Sequence, residues 1–455
     1  MKNTQANSLK YLQYSIFLLL IILVLFVHIP TALIFCLFTI CVPFFFKKNF
    51  DFFNPYNYFF CWYFYYFGLG YFCYLIRLSL GITQKYDDKI IYQGMIFSIV
   101  VAVLLKLSLK IKTKNIKTVF INNYLFKNNL SIMLFLTILN TLLNLFYWYK
   151  LGGIPIFIRG FHGETKAQLG IGLGYIEYLQ TFQGILLYLQ IIVFWNKSIK
   201  SRFYFLIILY NTFFLAVLSD SRGSAVFSII YIFILYSWSK NAKRLGLCAI
   251  FSLGILMVIL ATMWGAIRNN YPFITSGMVF AAEIAVEYDN YLDVINIFPV
   301  KFEFLHGKSL ISCITLLFPR FLLPNKNDFL TGGEYFKEIK HHYHIRVGER
   351  MTILGEMYMN FGTLGIFVSL LVLLLLLRLM KKFYCEAVNS NNLIAFFMTF
   401  FMLSNSLGFL AGDTATAFSS TFYSLIFILL CFLTIQLMQK KQIVEGIKNE
   451  NTHLG

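Results

Sequence analysis

Apolar residues in this chain come in long unbroken blocks, not in the three-and-four rhythm of a water-soluble helix or the alternation of a half-buried strand. A block of about 17 to 25 residues is long enough to cross the hydrocarbon core of a bilayer as a helix. Twelve such blocks can be marked, at about 11–27, 30–46, 57–78, 91–109, 130–149, 173–195, 203–218, 223–239, 246–267, 361–378, 392–411 and 415–438. The pattern predicts an all-α polytopic membrane protein of about 12 transmembrane helices, a single integral domain over residues 1–455. One interval between blocks is much longer than the rest, at 268–360. Two pieces of it predict short helices of their own. Phe280 to Asp293 carries Glu283 and Glu287 one helical turn apart, and Lys308 to Pro324 is a short apolar stretch that reads as interfacial or re-entrant.

Charge gives the blocks a direction. With the N-terminus on the cytoplasmic side, 22 of the 38 basic residues fall in cytoplasmic segments, among them six lysines from Lys106 to Lys127. The short outer loops hold only seven, and nine more lie between Arg268 and Arg350. This is the bias that orients spans in bacterial membranes. The acids sharpen it, because only Asp51, Glu386, Glu445 and Glu450 are cytoplasmic. Both termini are therefore expected in the cytoplasm, and 268–360 becomes one long extracytoplasmic loop with short helices. Lys2 and Lys10 before the first block resemble a signal sequence, but no small-residue cleavage site follows, so an uncleaved first span is expected.

Composition agrees. The chain is 59% hydrophobic and 13% charged with a mean hydropathy of +0.71, against roughly 25% charged in a soluble domain. A net charge of +18 would suggest nucleic acid in a soluble chain; here topology accounts for it, and no nucleic-acid partner is expected. Six of the eight cysteines lie inside apolar blocks, without CxxC or paired extracytoplasmic spacing. Neither a disulfide framework nor a structural zinc site is indicated.

The densest polar run is His341 to Gly365, HHYHIRVGERMTILGEMYMNFGTLG, at the outer mouth of the tenth block. Ionisable residues kept at such a place usually have a use. Arginines recur on the same expected face. Arg159 follows the Gly-Gly-Ile-Pro turn at 152–155, Arg222 sits in Ser-Asp-Ser-Arg-Gly-Ser, Arg268 ends the ninth block, Arg320 lies between two prolines, and Arg346 and Arg350 flank Gly348 and Glu349. Guanidinium groups match phosphate oxygens in a bidentate fork and keep their charge. Converging at the outer leaflet they would suit a lipid-linked diphosphate; taken singly, each could also anchor a helix end or pair with an acid. For proton transfer the run offers His344, with an unperturbed pKa of about 6.5, and Glu356, whose pKa partial burial would raise. Tyr358 and Asn360 read as residues that position a sugar or cap a helix. His341, His342 and His344 have the spacing to share a cation, but no cysteine is near, and neither metal nor cofactor is expected.

In order along the chain, Gly-Gly-Ile-Pro (152–155), Ser-Arg-Gly-Ser (221–224), Phe-Pro-Arg followed by Pro324 and Lys326, and Leu-Gly-Glu-Met-Tyr-Met-Asn-Phe-Gly (354–362) resemble the O-antigen polymerase family, the Wzy-type oligosaccharide repeat-unit polymerases. The resemblance covers roughly 150–380. It implies a glycosyltransferase of the bacterial cytoplasmic (inner) membrane that joins undecaprenyl-diphosphate-linked repeat units into O-antigen, capsule or exopolysaccharide on the extracytoplasmic face. It implies membrane lipids, a polysaccharide chain-length regulator and the cognate flippase as partners. It also implies arginine-and-glycine outer loops: Arg159 to Gly170 matches one, while Arg346 and Arg350 compete for the other. Two other activities share the many-spanned frame, a flippase for the same lipid-linked unit and an O-antigen ligase.

Overall fold

A computed structural model describes residues 29–41, 54–108, 130–154, 272–283, 285–318, 322–341, 350–390 and 393–426, with scattered positions between 207 and 266 and between 428 and 433. The described residues are helical and contain no strand. In order they form α1 (Ile29–Cys41), α2 (Pro55–Phe64), a π-helical turn (Tyr65–Leu69), α3 (Gly70–Ser79), α4 (Asp88–Ser108), α5 (Leu130–Leu151), α6 (Phe273–Glu283), α7 (Val286–Ile297), α8 (Lys308–Thr315), a 3-10 turn (Pro324–Asp328), α9 (Gly332–His341), α10 (Ile353–Phe361), α11 (Thr363–Ser390) and α12 (Leu393–Ala411). A further helix, α13, begins at Thr414 and runs to Leu430. Two compact units result. One is Met1–Ile116, Ala281–Lys382 and Met402–Ser419; the other is Lys117–Phe280, Phe383–Phe401 and Ser420–Gly455.

Three described helices are long and apolar enough to cross a membrane: Pro55–Ser79 (α2 through α3), Asp88–Ser108 and Thr363–Ala387. Helices also occupy the described parts of the expected blocks at 30–46, 130–149, 392–411 and 415–438. The blocks at 11–27, 173–195 and 223–239, and most of 203–218 and 246–267, lie outside the described residues.

Three boundaries differ from expectation, each for a local reason. The tenth block does not end near Arg378. Its helix continues to Ser390, 28 residues, or about 42 Å at 1.5 Å per residue, so its last turns outrun an apolar core about 30 Å thick. It also begins later than 361, because Gly362 at φ 60 closes α10 in a backbone conformation that side chains disfavour. Glu283 and Glu287 do not share a helix: Ala285 at φ 51 breaks the chain between α6 and α7.

The first unit is built around α7. Its sequence, VEYDNYLDVINI, leaves no polar face to water, and nearly every residue is buried. It packs on α3, α4, the π-helical turn and α10. Small residues allow the approach. A Cβ on Gly70 would lie 2.8 Å from the Cβ of Tyr288, and one on Gly94 would lie 3.0 Å from Cδ2 of Leu292. The freed backbone is used too, since Tyr291 Oη donates to Gly94 O at 3.1 Å.

Buried carboxylates must be paired or hydrogen-bonded, and α7 carries three acids. Arg77, at the end of α3, meets Asp289 side-on: Nε donates to Oδ2 at 2.8 Å and Nη2 to Oδ1 at 2.5 Å, with both side chains within 1% of complete burial. Asp293 Oδ1 accepts from Tyr86 Oη at 2.6 Å and Gln84 Nε2 at 2.8 Å. The opposite end of the same helices is basic. Lys106 Nζ donates to Ile40 O at 3.0 Å, and Lys381 lies 4.9 Å above the Tyr56 ring. In the second unit α5 contributes Thr141, whose Oγ1 lies 3.2 Å from Tyr210 Oη.

Candidate functional site

The approach to α11 is a short relay of capped turns. Thr352 caps α10, its Oγ1 accepting from Gly355 N at 3.2 Å. At the other end, the carbonyls that a helix leaves without internal partners are taken by neighbours. Leu305 N donates to Met359 O at 3.1 Å, His306 N to Asn360 O at 2.9 Å and Gly362 N to Tyr358 O at 2.7 Å. The 303–306 segment is thereby fastened to the end of α10 and leads directly into α8.

Glu356 lies on α10 with no exposed surface. Its carboxylate is where the beginnings of three helices meet. Oε1 accepts from Ser309 Oγ, in the first turn of α8, at 3.0 Å. Oε2 accepts from Thr414 N, the first residue of α13, at 2.6 Å. Gly332, first in α9, presses so close that a Cβ there would sit 2.5 Å from Oε1. Helix starts carry partial positive charge and favour an anion. Burial and the nearby Asp413 carboxylate outweigh them, and the Glu356 carboxyl is pushed up from 4.5 to about 7. Asp413 caps α13 through Thr416 N at 2.6 Å. Thr331 and Glu334 form a reciprocal capping box on α9, Thr331 N to Oε2 at 2.7 Å and Glu334 N to Oγ1 at 3.3 Å. Asn360, also unexposed, completes the knot. Nδ2 donates to Ser309 Oγ and Glu356 O, each at 2.8 Å, and Oδ1 accepts from Gly307 N at 3.1 Å, ahead of α8.

Tyr358 is on the adjoining side of α10 and 5% exposed. Its Oη accepts from Gln93 Nε2 at 3.4 Å, and its ring meets Phe97 and Phe304 at 5.8 and 5.9 Å. Arg350 precedes α10 and is exposed. Its backbone is anchored, because Asn290 Nδ2 of α7 donates to its carbonyl, while Met351 and Thr352 after it are fully buried. The guanidinium is within electrostatic reach of Glu287 of α7 and Tyr66 of the π-helical turn.

Of the residues the sequence singles out, the structure therefore brings Glu356, Asn360 and Tyr358 onto one short helix with Arg350 at its entrance. Arg159, Arg222, Arg268, Arg320, Arg346 and His344 lie outside the described residues, as do His342 and the backbone around it. Among the described residues no group of three or more His, Cys, Asp or Glu has the arrangement to hold a metal ion. Sequence reasoning missed the partners of Glu356, namely Ser309, Gly332 and Thr414, and the Arg77–Asp289 pair. Signals existed for some of them. Thr331-x-x-Glu334 is a capping-box spacing, Asp413 before Thr-Ala-Thr is a helix-start pattern, and a short helix with acids on two opposite faces in an apolar chain has to be buried against partners.

Comparison with known families gives one result. The family model described as O-antigen polysaccharide polymerase Wzy matches residues 11–442, nearly the whole chain. No curated protein and no solved structure matches it.

Proposed function

Because the chain belongs to the O-antigen polysaccharide polymerase Wzy family, we propose that it joins lipid-linked oligosaccharide repeat units into a surface polysaccharide by glycosyl transfer. The carrier is undecaprenyl diphosphate, and the reaction takes place on the extracytoplasmic face of the bacterial cytoplasmic membrane. An acceptor sugar hydroxyl attacks the anomeric carbon of the donor glycan. The bond from that carbon to the diphosphate oxygen breaks, the new glycosidic bond forms, and the lipid diphosphate leaves with the electron pair. Cationic groups that complement the charge developing on the leaving group lower the barrier without a metal. Arg350 takes that role together with Arg159, Arg222, Arg268, Arg320 and Arg346, and Tyr358 contributes an aromatic edge beside the sugar path.

The observation that carries this reading is the family match over 11–442. Glu356 and His344 are the two proton acceptors that the sequence offers. The burial of Glu356 and the donors on both its oxygens favour a different part for it: together with Asn360 it holds the starts of α8, α9 and α13 around α10 and so positions Arg350 and Tyr358. His344, the other proton acceptor, lies outside the described residues.

A deletion strain separates the competing activities. Loss of a polymerase leaves single repeat units on the surface, loss of a flippase leaves none, and loss of a ligase leaves polymer on the lipid carrier. With purified protein and lipid-linked repeat units, Arg222→Ala and Arg346→Ala are expected to lose nearly all polymer at normal protein level. Unchanged polymer length in both would remove the arginines from the reaction.

A further inference from the structure

We infer that Glu287 and Arg350 form a second half of the reaction centre, in which the Glu287 carboxylate accepts the proton of the attacking hydroxyl and Arg350 holds the departing diphosphate. This rests on the polymerase reading above, and it assigns α7 a catalytic residue in place of the two proton acceptors on the 341–365 run.

The argument begins with α7. A helix that reaches into the middle of the first unit with three acids has a use for each. Two are accounted for: Asp289 is locked to Arg77, and Asp293 is held by Tyr86 and Gln84. Glu287 is not. It is 5% exposed, yet its carboxylate turns to its own backbone N–H, and no cation closes on it within ion-pair distance among the described residues. Burial raises its pKa, with Arg350, Arg77 and its own N–H opposing and Asp289 adding to the rise. A buried carboxylate held short of a salt bridge is a stronger proton acceptor than an exposed one.

Its neighbour is set up to match. Asn290 lies three residues beyond Glu287, hence on the same face of α7, and it grips the carbonyl of Arg350. The backbone of Arg350 is thus fixed beside Glu287 while its side chain stays exposed, with no hydrogen bond or ion pair to the described residues. Tyr65 and Tyr66 are both within electrostatic reach of Glu287, and Tyr66 also within reach of Arg350. They belong to a π-helical turn, a local widening often found at functional sites. The arrangement couples a buried proton acceptor to an exposed permanent cation, with two phenols in electrostatic reach of the acceptor.

The proton balance is simple. The hydroxyl proton moves to Glu287 as its oxygen bonds to the anomeric carbon. The electron pair of the broken carbon–oxygen bond leaves on the diphosphate beside Arg350, and Glu287 then returns its proton to solvent.

Two measurements on the full-length protein in detergent test this. In the first, binding of a short polyprenyl diphosphate is titrated without turnover. Arg350→Ala is expected to weaken it at least tenfold and Glu287→Gln to leave it within threefold. In the second, transfer between lipid-linked repeat units is followed. Glu287→Gln is expected to lower kcat by about 100-fold or more with KM little changed, which is the usual size of a lost general base. Wild-type rate is expected to rise with pH through the titration of Glu287, which is faced by Arg350, Arg77, Asp289, Tyr65 and Tyr66, and this limb is expected to vanish in Glu287→Gln. Glu287→Asp is expected to recover part of the rate, and with the wild-type pH profile it carries the test if Glu287→Gln does not fold. A Glu287→Gln enzyme within threefold of wild-type kcat overturns the catalytic role. Diphosphate binding that ignores Arg350→Ala overturns the leaving-group site. If wild-type protein transfers nothing, the polymerase reading falls and the role of Glu287 falls with it, while the first measurement still decides the diphosphate site.

Discussion

Glu356 shows how one side chain can be placed correctly by sequence and its surroundings be left blank. Its position before a span suggested partial burial and a raised pKa; the structure buries it completely, at about 7. Because the folded value lies above the unfolded 4.5, the native state holds the proton more tightly. The resulting stabilisation is full below pH 4.5 and is lost as pH rises through about 7. The shift corresponds to on the order of 3 kcal/mol between the two limits. Glu356→Gln is expected to remove this dependence, since its carbonyl serves Thr414 N and its amide serves Ser309 Oγ. Its thermal midpoint should vary less from pH 5 to 8 than that of wild type and equal or exceed wild type at pH 8. Glu356→Ala leaves two buried donors without an acceptor and is expected to lose about 2–5 kcal/mol. Thermal unfolding in detergent across that pH range reads both.

At the scale of elements, α7 is the part that sequence pattern described least well. The glutamate spacing of 283 and 287 suggested one short helix, Phe280 to Asp293, within the long loop. Instead the chain breaks at Ala285 and the second piece is swallowed by α3, α4 and α10. A twelve-residue window with acids on two opposite sides has no clean hydrophobic face to report its burial, so periodicity could not find it. The side-on Arg77–Asp289 pair fixes its angle. Removing one partner of a buried pair strands the other charge and costs about 3–5 kcal/mol, so Arg77→Ala and Asp289→Ala are each expected to be severely destabilised. The double variant Arg77→Met with Asp289→Leu restores an apolar contact and is expected to recover most of that loss. If the double variant is as unstable as the sum of the singles, the pair does not act as a unit.

For the whole molecule, the charge pattern and the structure meet in the first unit. Lys106 and Lys381 mark one end of its helices; Arg77, α7 and the entrance to α10 mark the other. The positive-inside bias predicts that the lysine end faces the cytoplasm. In cells carrying otherwise cysteine-free protein, single cysteines at Leu80 and Val300, 53% and 81% exposed, are expected to react with a membrane-impermeant maleimide from outside. One at Lys114 is expected to react only after permeabilisation. The reverse result would turn the molecule over and move the proposed chemistry to the other face.

What could be read along the chain was whatever depends on consecutive residues. Apolar length marks helices that could cross a membrane, and three described helices are long and apolar enough to do so. The short motifs around 152–155, 221–224 and 354–362 carried the family, and the match over 11–442 bears that out. What only the tertiary structure could decide was which distant residues complete each other. Asp289 is 212 positions from Arg77, Thr414 is 58 from Glu356, and Arg350 is 60 from Asn290. No local rule links such residues, because a buried charge is tolerated only by the partner that packing delivers to it. Packing is a property of the whole fold, not of any stretch within it.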